Sequence, residues 1–511
     1  MVTRQTLRRS GARRPMFGSC DQLKGNLAAA NLRGSGDRGS DDRVRLLAAM
    51  PIPRSRISRT AKFGGMVAGQ SAKWAGTRVA NQFRGEERAN EKMEARALSA
   101  AEQIVEQLGQ MKGAAMKLGQ VLSTIDFDLV PEEARPEFKE KLAALRDQSH
   151  RVPFGDLRQM MDEDFDGRVD ELFAEIDPHA IAAASIGQVH RGITSDGREV
   201  AIKIQYPGIA EAVSTDLRNA QLLNPLIRSM APGLNVKALM HELTERIEEE
   251  VDYELEAQHH RLIERALRGH PLIRVPAVDT QRSTRRVLTT EFVQARTFDE
   301  VRRTADLEER SRFGELIFRF FYGVLMHEQI ALGDPHPGNL LYDEERRLVA
   351  LDFGLLRRMS TEYLEGEQHL GRAIGRRDAA DVHRWMATLG YLPKPDEFDP
   401  DALLQQMVAA TGWYIGDQQE RTIDPELVRA TIESTSSPRS EYFSLMRRQT
   451  VPPEALLLRR MEGLVFSVLG ELGARAKWGL IASEYLGTEP PSTTLGEIDA
   501  AHWASRRTKR R

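Results

Sequence analysis

The chain contains very little cysteine. Cys20 is the only one among 511 residues, so an intrachain disulfide is excluded. Such a composition is typical of proteins from a reducing compartment. Long uncharged apolar runs are also lacking, because even the apolar stretch 456–472 is interrupted by Arg459, Arg460, Glu462 and Glu471. A membrane-spanning helix needs about 20 consecutive apolar residues, and we therefore expect none.

A strong excess of one charge is absent as well. The net charge of −3 argues against a general nucleic-acid binder. Both ends are nevertheless basic: residues 1–60 contain 13 Lys and Arg against 4 Asp and Glu, and five of the last six residues are basic. The first 49 residues lack the apolar segment of a secretory signal and have few large apolar side chains. We predict a basic, disordered arm over residues 1–59, with Met50 as an alternative start and an organelle transit peptide as the less favoured interpretation.

The residues after this arm have a helical pattern. One apolar stripe recurs at spacings of three and four residues, which indicates an amphipathic helix; it consists of Ile104, Leu108, Met111, Ala115, Leu118 and Leu122. Pro131 and Pro136 follow the stripe, and residues 137–146 again have a helical pattern. Residues 60–150 are therefore predicted to form a helical region.

The pattern changes after residue 165 to short strands. Residues 181–190 read as a strand, a turn of small residues and a second strand, and residues 199–204 alternate in polarity as a strand does. Another strand is predicted at 287–293, followed by helix from 298 to about 329. A proline-rich loop, two short strands and a largely helical region to about 485 complete the order. We predict an α+β fold with a small β-containing lobe followed by a helical lobe.

Several residues in this order suit phosphoryl transfer, which needs a cation on the phosphates and magnesium ligands. Lys203 ends a Val-Ala-Ile-Lys run on a predicted strand. Asp334 and Asn339 have the spacing of the Asp and Asn in a kinase catalytic loop, and Asp352 begins an Asp-Phe-Gly tripeptide behind an apolar strand. Each feature alone is weak, but their joint order predicts a bilobal protein-kinase-like fold with an adenine-binding hinge near residues 288–293.

Two departures separate the chain from typical protein kinases. The glycine-rich phosphate loop is missing, and residues 182–187 read Ala-Ala-Ala-Ser-Ile-Gly in its place. Alanine lacks the freedom of glycine at positive φ, so this loop is expected to hold phosphates differently. In addition, no His-Arg precedes Asp334, where residues 333–339 read Gly-Asp-Pro-His-Pro-Gly-Asn. Ordinary protein phosphorylation is therefore not the favoured activity.

With these features, the chain resembles the UbiB/AarF family of atypical kinases, also called the ABC-one or ADCK-type family. The matches cover about residues 60–485. They are the Lys-x-Gly-Gln motif at 117–120, the alanine-rich loop, residues 200–208, the Glu-x-Asp motif at 250–252 with Glu256, residues 333–339 and the Asp-Phe-Gly tripeptide.

The resemblance implies a role for each matching residue. Lys203 is expected to hold the α- and β-phosphates of ATP and to pair with Glu256, a partner whose choice rests on the resemblance. Asp334 takes the position of the catalytic aspartate, and Asn339 and Asp352 are expected to bind Mg²⁺. The expected nucleotide contacts are Ala182, Ala183, Ala184, Ser185, Lys203, Glu291 and Val293.

The resemblance also implies that the Lys-x-Gly-Gln helix folds over the place where a peptide substrate would lie. Lys117 is then expected to face the Glu-x-Asp motif; without the resemblance it is better explained as a solvated residue of an amphipathic helix. The residues of this predicted lid are Lys117, Gly119, Gln120, Glu250 and Asp252.

Three functions remain open on the sequence. The favoured one is an ATP- and Mg²⁺-dependent kinase or ATPase that supports isoprenoid quinone biosynthesis or lipid homeostasis. The others are a kinase that phosphorylates a protein or small molecule, and a non-catalytic scaffold switched by nucleotide. Expected partners are ATP or ADP and a quinone precursor or lipid, with no nucleic acid; a homodimer stays open. The expected location is the cytoplasm, with peripheral association at the inner face of the cell membrane.

The domain prediction has five parts. After the arm at 1–59 come the helical extension at 60–150, the small lobe at 151–293, the helical lobe at 294–490 and a basic tail at 491–511.

Overall fold

A computed structural model describes residues 152–184, 186–221, 251–436 and 440–510. The predicted arm and helical extension lie outside the described residues, and so do five predicted site residues: Lys117, Gly119, Gln120, Ser185 and Glu250. Elements are numbered here over the described part of the chain.

The small lobe is built on an antiparallel sheet. Its strands are β1 (Phe173–Ile176), β2 (Ala182–Ala183), β3 (Gly187–Thr194), β4 (Glu199–Gln205) and β6 (Val287–Glu291). They lie in the order β1-β3-β4-β6, and β2 pairs with β3 beyond the end of β1. Val200, Ile202 and Ile204 alternate along β4 and are buried at 1% exposure or less, as the sequence pattern predicts.

Three helices and a fourth that is shared between the lobes surround this sheet. They are α1 (Phe154–Asp164), α2 (Val169–Leu172), α3 (Ile209–Gln221) and α4 (Tyr253–Leu267). Tyr253 and Ala257 of α4 belong to the small-lobe core, whereas Ile263 and Leu267 of the same helix belong to the core of the helical lobe. Helix α4 therefore links the two cores.

The helical lobe surrounds α6 (Leu307–Glu328), whose middle turns are buried on every side, as expected of a central helix. A four-stranded sheet borders the small lobe, in the order β5-β10-β9-β7. Its strands are β5 (Ile273–Arg274), β7 (Arg296–Thr297), β9 (Leu340–Tyr342) and β10 (Leu348–Ala350). Because β5 pairs with β10, the helical lobe includes residues that were predicted to belong to the 151–293 lobe.

Two strand pairs and nine further helices complete the lobe. The pairs are β8 (Ile330–Leu332) with β11 (Leu356–Arg358) and β12 (Arg421–Thr422) with β13 (Arg475–Ala476). The helices are α5 (Phe298–Thr304), α7 (Thr361–Gly375), α8 (Ala379–Thr388), α9 (Pro400–Thr411), α10 (Pro425–Ser436), α11 (Phe443–Met446), α12 (Pro453–Leu472), α13 (Trp478–Leu486) and α14 (Thr494–Arg510).

The C-terminal segment, predicted as a basic tail, is the packed helix α14. Trp503 is only 2% exposed, and Asp499 accepts hydrogen bonds from Tyr485 and Trp503 at 2.9 and 3.0 Å. His270 lies 3.0 Å from the same carboxylate. Burial alone raises the pKa of Asp499, but its hydrogen bonds with His270 and Tyr485 outweigh this and hold the pKa below its ordinary value. The basic residues at the end of the chain therefore follow a segment that belongs to the core.

The architecture confirms the predicted α+β, bilobal kinase-like fold. Each lobe has its own buried apolar cluster, and the chain makes its last passage from the small lobe to the helical lobe through the residues that follow β6. In the described part of the chain, no helix combines the length and the apolar character that crossing a bilayer requires.

Candidate functional site

The centre of the site is a lysine held between two carboxylates. Lys203 Nζ donates to Glu256 Oε1 at 2.7 Å and Oε2 at 2.9 Å, and to Asp352 Oδ2 at 3.2 Å. These contacts join β4, α4 and the Asp-Phe-Gly segment. The Glu256 side chain is only 6% exposed, so little solvent screens the pair. Burial lowers the pKa of Lys203, but the adjacent Asp352 and Glu256 carboxylates outweigh it and hold the pKa well above its ordinary value.

Helix α4 presents Glu256 because its start is well defined. The Asp252 carboxylate accepts hydrogen bonds from the backbone N–H groups of Glu254 and Leu255 at 3.0 and 3.2 Å, which makes Asp252 the N-cap. Asp252 also lies 3.4 Å from the Arg285 guanidinium. The expectation that Asp252 faces Lys117 stays a prediction, since Lys117 lies outside the described residues.

The first residue of α4 also contacts the lysine. Lys203 Nζ lies 4.9 Å from the centre of the Tyr253 ring, within the range of a cation–π interaction. Burial raises the pKa of the Tyr253 hydroxyl far above its ordinary value, so the phenol is neutral. That hydroxyl is buried and has no hydrogen-bond partner among the described residues. Sequence reasoning missed Tyr253, although it directly follows the Glu-x-Asp motif.

Asp334 is brought to the site by the loop that leaves β8. The pairing of β8 with β11 continues through a hydrogen bond from Gly333 N–H to Leu355 O at 2.9 Å, so Asp334 lies beside the Asp-Phe-Gly segment. The next residues form a 3₁₀ turn over Pro337–Asn339, whose N-cap is His336. His336 Nδ1 accepts a hydrogen bond from Gly338 N–H at 3.0 Å. The histidine between the two prolines therefore caps this turn.

Asn339 and Asp352 are neighbours because of a β-hairpin register. Strands β9 and β10 pair Leu340 with Ala350, and the ladder extends to a hydrogen bond from Leu351 N–H to Asn339 O at 3.0 Å. Each residue therefore lies at the open end of the hairpin. Asp352 Oδ1 accepts from Gly354 N–H at 2.9 Å, which holds the carboxylate at the start of the next loop.

The phenylalanine of the Asp-Phe-Gly segment is an anchor for Asp352. Phe353 is 2% exposed and packs edge to face against His260 of α4, with ring centres 4.8 Å apart. His260 Nε2 lies 2.6 Å from Pro276 O, and burial lowers the pKa of His260 to about 4, so its ring is neutral near pH 7. Sequence reasoning missed this histidine, because an isolated helix position carries no signal of its tertiary neighbours.

The alanine-rich segment is part of a hairpin rather than a free loop. Ala182 and Ala183 form β2 and pair with Val189 and Gln188 of β3, and both alanines are exposed. Ala184 N–H donates to Gly187 O at 2.9 Å, which closes the turn. Gly187 is required here because a Cβ at this position would lie 2.2 Å from the Ile204 carbonyl oxygen.

The predicted hinge leaves the small lobe at the end of β6. The backbone N–H of Glu291 donates to Ala277 O at 2.9 Å, and the Glu291 carboxylate forms an ion pair with Arg274 at 2.5 Å. The side chain of Glu291 is therefore committed to an ion pair of the protein. The N–H of Phe292 still donates to Glu199 O at 3.1 Å. Val293 is the first residue after this bond, so its backbone is the better candidate for an adenine contact.

The arrangement suits a polyphosphate with a bound cation. Lys203 supplies positive charge, while Asn339 and Asp352 supply an amide oxygen and a carboxylate on adjacent strand ends. Within the described residues, no group of three His, Cys, Asp or Glu side chains could hold a metal alone. One carboxylate and one amide oxygen fit Mg²⁺, which binds one or two carboxylates together with phosphate oxygens and water.

Comparison with known proteins gives consistent matches. Residues 144–385 match the ABC1 atypical kinase-like domain. The mitochondrial atypical kinase COQ8B of Danio rerio is 32% identical over 314 residues, covering 60% of this chain and 49% of the relative. The mitochondrial atypical kinase coq-8 of Caenorhabditis elegans is 28% identical over 419 residues, covering 78% and 54% respectively. The chain thus spans about half the length of these relatives.

A solved structure is similar as well. The Mycobacterium tuberculosis protein Rv3197, determined in complex with erythromycin, superposes with a TM-score of 0.58 and 27% identity. The match covers 79% of this chain and 100% of that one.

Proposed function

We propose that the protein binds ATP with Mg²⁺ and hydrolyses it or transfers its γ-phosphate. Residues 144–385 match the ABC1 atypical kinase-like domain, in agreement with the resemblance to the UbiB/AarF family. The observation that carries the proposal is the bridge from Lys203 to both Glu256 and Asp352. In kinases the corresponding lysine–glutamate pair and metal-binding aspartate must both be in place for activity.

Each group has a defined task in this proposal. Lys203 neutralises charge on the α- and β-phosphates, and Glu256 keeps its ammonium group in place. Asn339 and Asp352 would hold Mg²⁺, which would neutralise charge on the β- and γ-phosphates. Asp334 is the candidate group to orient a water or an acceptor hydroxyl and to accept its proton. The backbone at Val293 and the hairpin at 182–187 would hold the adenine and cover the phosphates.

The substrate assignment rests on the family resemblance. We propose that the activity supports isoprenoid quinone biosynthesis or lipid homeostasis, at the surface of a membrane. The exposed alanines at the phosphate loop support a small-molecule kinase or ATPase over an ordinary protein kinase, because this loop lacks the glycines that fit closely over phosphates. A homodimer and membrane association stay predictions.

The test is ATP turnover by the full chain with Mg²⁺. Release of phosphate is measured with and without lipid vesicles or a phenolic quinone precursor. Asp352→Asn is expected to lower turnover at least about 100-fold, since it removes a metal ligand from the transition state. Asp401→Asn, an exposed carboxylate at the start of α9, serves as the matched control and is expected to behave as the wild type.

The same experiment separates the alternatives. Labelled phosphate on an added hydroxyl compound would favour a kinase, whereas phosphate release alone would favour an ATPase. Nucleotide binding without turnover would favour the scaffold. A chain that binds no nucleotide and does not respond to Asp352→Asn would exclude the proposed function.

A further inference from the structure

The loop that carries Asp334 contacts a helix from a distant part of the chain. Residues 333–339 contain no Arg or Lys, so the loop itself offers Asp334 no strong cation. Arg460 of α12 fills this position: its Nε donates to Gly333 O at 2.8 Å, and its Nη2 lies 3.6 Å from Asp334 Oδ1. The two side chains are 20% and 23% exposed, so water screens their attraction only in part.

The first turns of α12 lie close to the Asp334 loop. Leu457, one turn before Arg460, packs directly on Gly333, where a Cβ would lie 2.1 Å from the Leu457 Cδ1 atom. The start of the helix is tied to β11 as well, because Arg357 donates to Pro453 O at 2.7 Å. Helix α12 therefore contacts both the loop that carries Asp334 and the strand that follows the Asp-Phe-Gly segment.

The neighbouring arginine fixes the rotation of the helix. Arg459 pairs with Glu367 of α7, donates to Glu462 at 2.5 Å and donates to the Tyr391 hydroxyl at 3.0 Å. The adjacent carboxylates Glu367 and Glu462 outweigh the effect of burial and hold the pKa of Arg459 well above its ordinary value. Because Arg459 points into this cluster, the next residue, Arg460, is turned toward the Asp334 loop.

We propose that Arg460 is a positioning residue for Asp334, which supplies from α12 the cation that the loop lacks. One end of the guanidinium holds the Gly333 carbonyl, and the other keeps the Asp334 carboxylate oriented and balances its charge. The inference rests on the proposed function for the role of Asp334. It adds a residue 126 positions downstream, outside the matched domain 144–385.

The first measurement is steady-state ATP turnover together with nucleotide affinity. Arg460→Gln is expected to lower kcat about 10- to 100-fold while ATP and ADP affinities change less than about twofold, since the polar contacts of Arg460 are with Gly333 O and Asp334 rather than with Lys203 or the candidate metal ligands Asn339 and Asp352. Arg460→Lys, which keeps the charge but lacks the two-ended geometry, is expected to recover part of the loss. Arg384→Gln, which removes an exposed ion pair on α8, is the matched control.

The second measurement asks whether Arg460 acts through Asp334. In an Asp334→Asn background, Arg460→Gln is expected to lower kcat less than about threefold further, because residues that act as a unit are not additive. An equal loss in both backgrounds, or a loss confined to nucleotide affinity, would overturn the inference.

The third measurement does not depend on turnover. The melting temperatures of the wild type, Arg460→Gln, Asp334→Asn and the double variant form a cycle, and the double variant is expected to lose at least about 2 °C less than the sum of the single losses. If the wild type hydrolyses no ATP, the proposed function is wrong. The cycle of melting temperatures still measures whether Arg460 and Asp334 interact. Additive losses would contradict the inference even for an active enzyme.

Discussion

At the scale of single residues, the site combines groups that the sequence marks with groups it does not. Lys203, Asp334 and Asp352 occur in recognisable runs, and their spacing suggests a shared task. Tyr253, His260 and Arg460 have no such runs, yet they contact Lys203, Phe353 and Asp334 respectively. The second group positions the first, and its contribution can be measured residue by residue.

Tyr253→Phe is expected to leave the free energy of unfolding unchanged or to raise it by up to about 1 kcal/mol. The reason is that the buried hydroxyl has no partner among the described residues, and an unpaired buried polar group costs about 1–3 kcal/mol. Tyr253→Leu removes the ring beside Lys203 and is expected to weaken nucleotide binding. Denaturant unfolding and nucleotide titration check both variants; a large loss of stability in Tyr253→Phe would reveal a hydrogen bond to the rest of the chain.

At the scale of elements, the hairpin of β2 and β3 and the helix α4 border the proposed phosphate site. The hairpin turns at an alanine-rich segment, and its second strand begins at Gly187, which lies against β4. The N-cap at Asp252 sets the start of α4 and thus the direction of Glu256. Both elements converge on Lys203, so a backbone shift in either should affect the site.

Gly187→Ala is expected to destabilise the small lobe by more than about 2 kcal/mol, because its Cβ would meet a strand carbonyl that cannot move without breaking the sheet. Gly463→Ala is the matched control: it lies exposed within α12, where a Cβ meets no atom within 4 Å. The Gly463→Ala change is expected to raise the free energy of unfolding by about 1 kcal/mol. Thermal unfolding of both variants gives the comparison, and equal effects would contradict the close approach at Gly187.

At the scale of the whole molecule, α14 joins the end of the chain to the helical lobe. Ending the chain after Pro491 removes Trp503 and Asp499 and is expected to cost more than about 4 kcal/mol of stability, with loss of soluble protein. Ending it after Thr508 removes only the last basic residues and is expected to change neither. The soluble yield and the melting temperature of the two truncated chains are compared. Full stability of the chain that ends at Pro491 would contradict a structural role for α14.

Stability is also expected to depend on pH through buried histidines. Burial lowers the pKa of both His260 and His327 to about 4, below the ordinary value of about 6.5. The unfolded chain therefore binds more protons between these values, so stability is complete above about pH 7 and falls as the pH decreases toward 4. The expected loss is about 2 kcal/mol for each histidine at pH 5.

Denaturant unfolding at pH 7 and pH 5 measures this dependence. His260→Gln, which can keep a donor for Pro276 O, is expected to reduce the difference between the two values. His179→Gln is the control, since its side chain is 92% exposed. An unchanged difference in His260→Gln would show that this histidine does not contribute.

Much of the fold followed from local patterns. The alternation at 199–204, the helix after residue 298 and the two short strands that became β9 and β10 were predictable because each depends on residues close in sequence. The spacing of Asp334, Asn339 and Asp352 was informative for the same reason, since one loop and one hairpin hold all three. The sequence by itself thus determined the lobe order and the candidate ligands for phosphate and magnesium.

Only the tertiary structure revealed the features that depend on contacts between residues distant in sequence. The packing of α14, predicted as a basic tail, depends on His270 and Tyr485, which no nearby residue reveals. The inclusion of β5 in the helical lobe depends on its pairing with β10. The contact of Arg460 with Asp334 joins positions 126 residues apart, and its direction comes from the buried cluster around Arg459. Such contacts form only when the whole core packs, so local pattern carries no record of them.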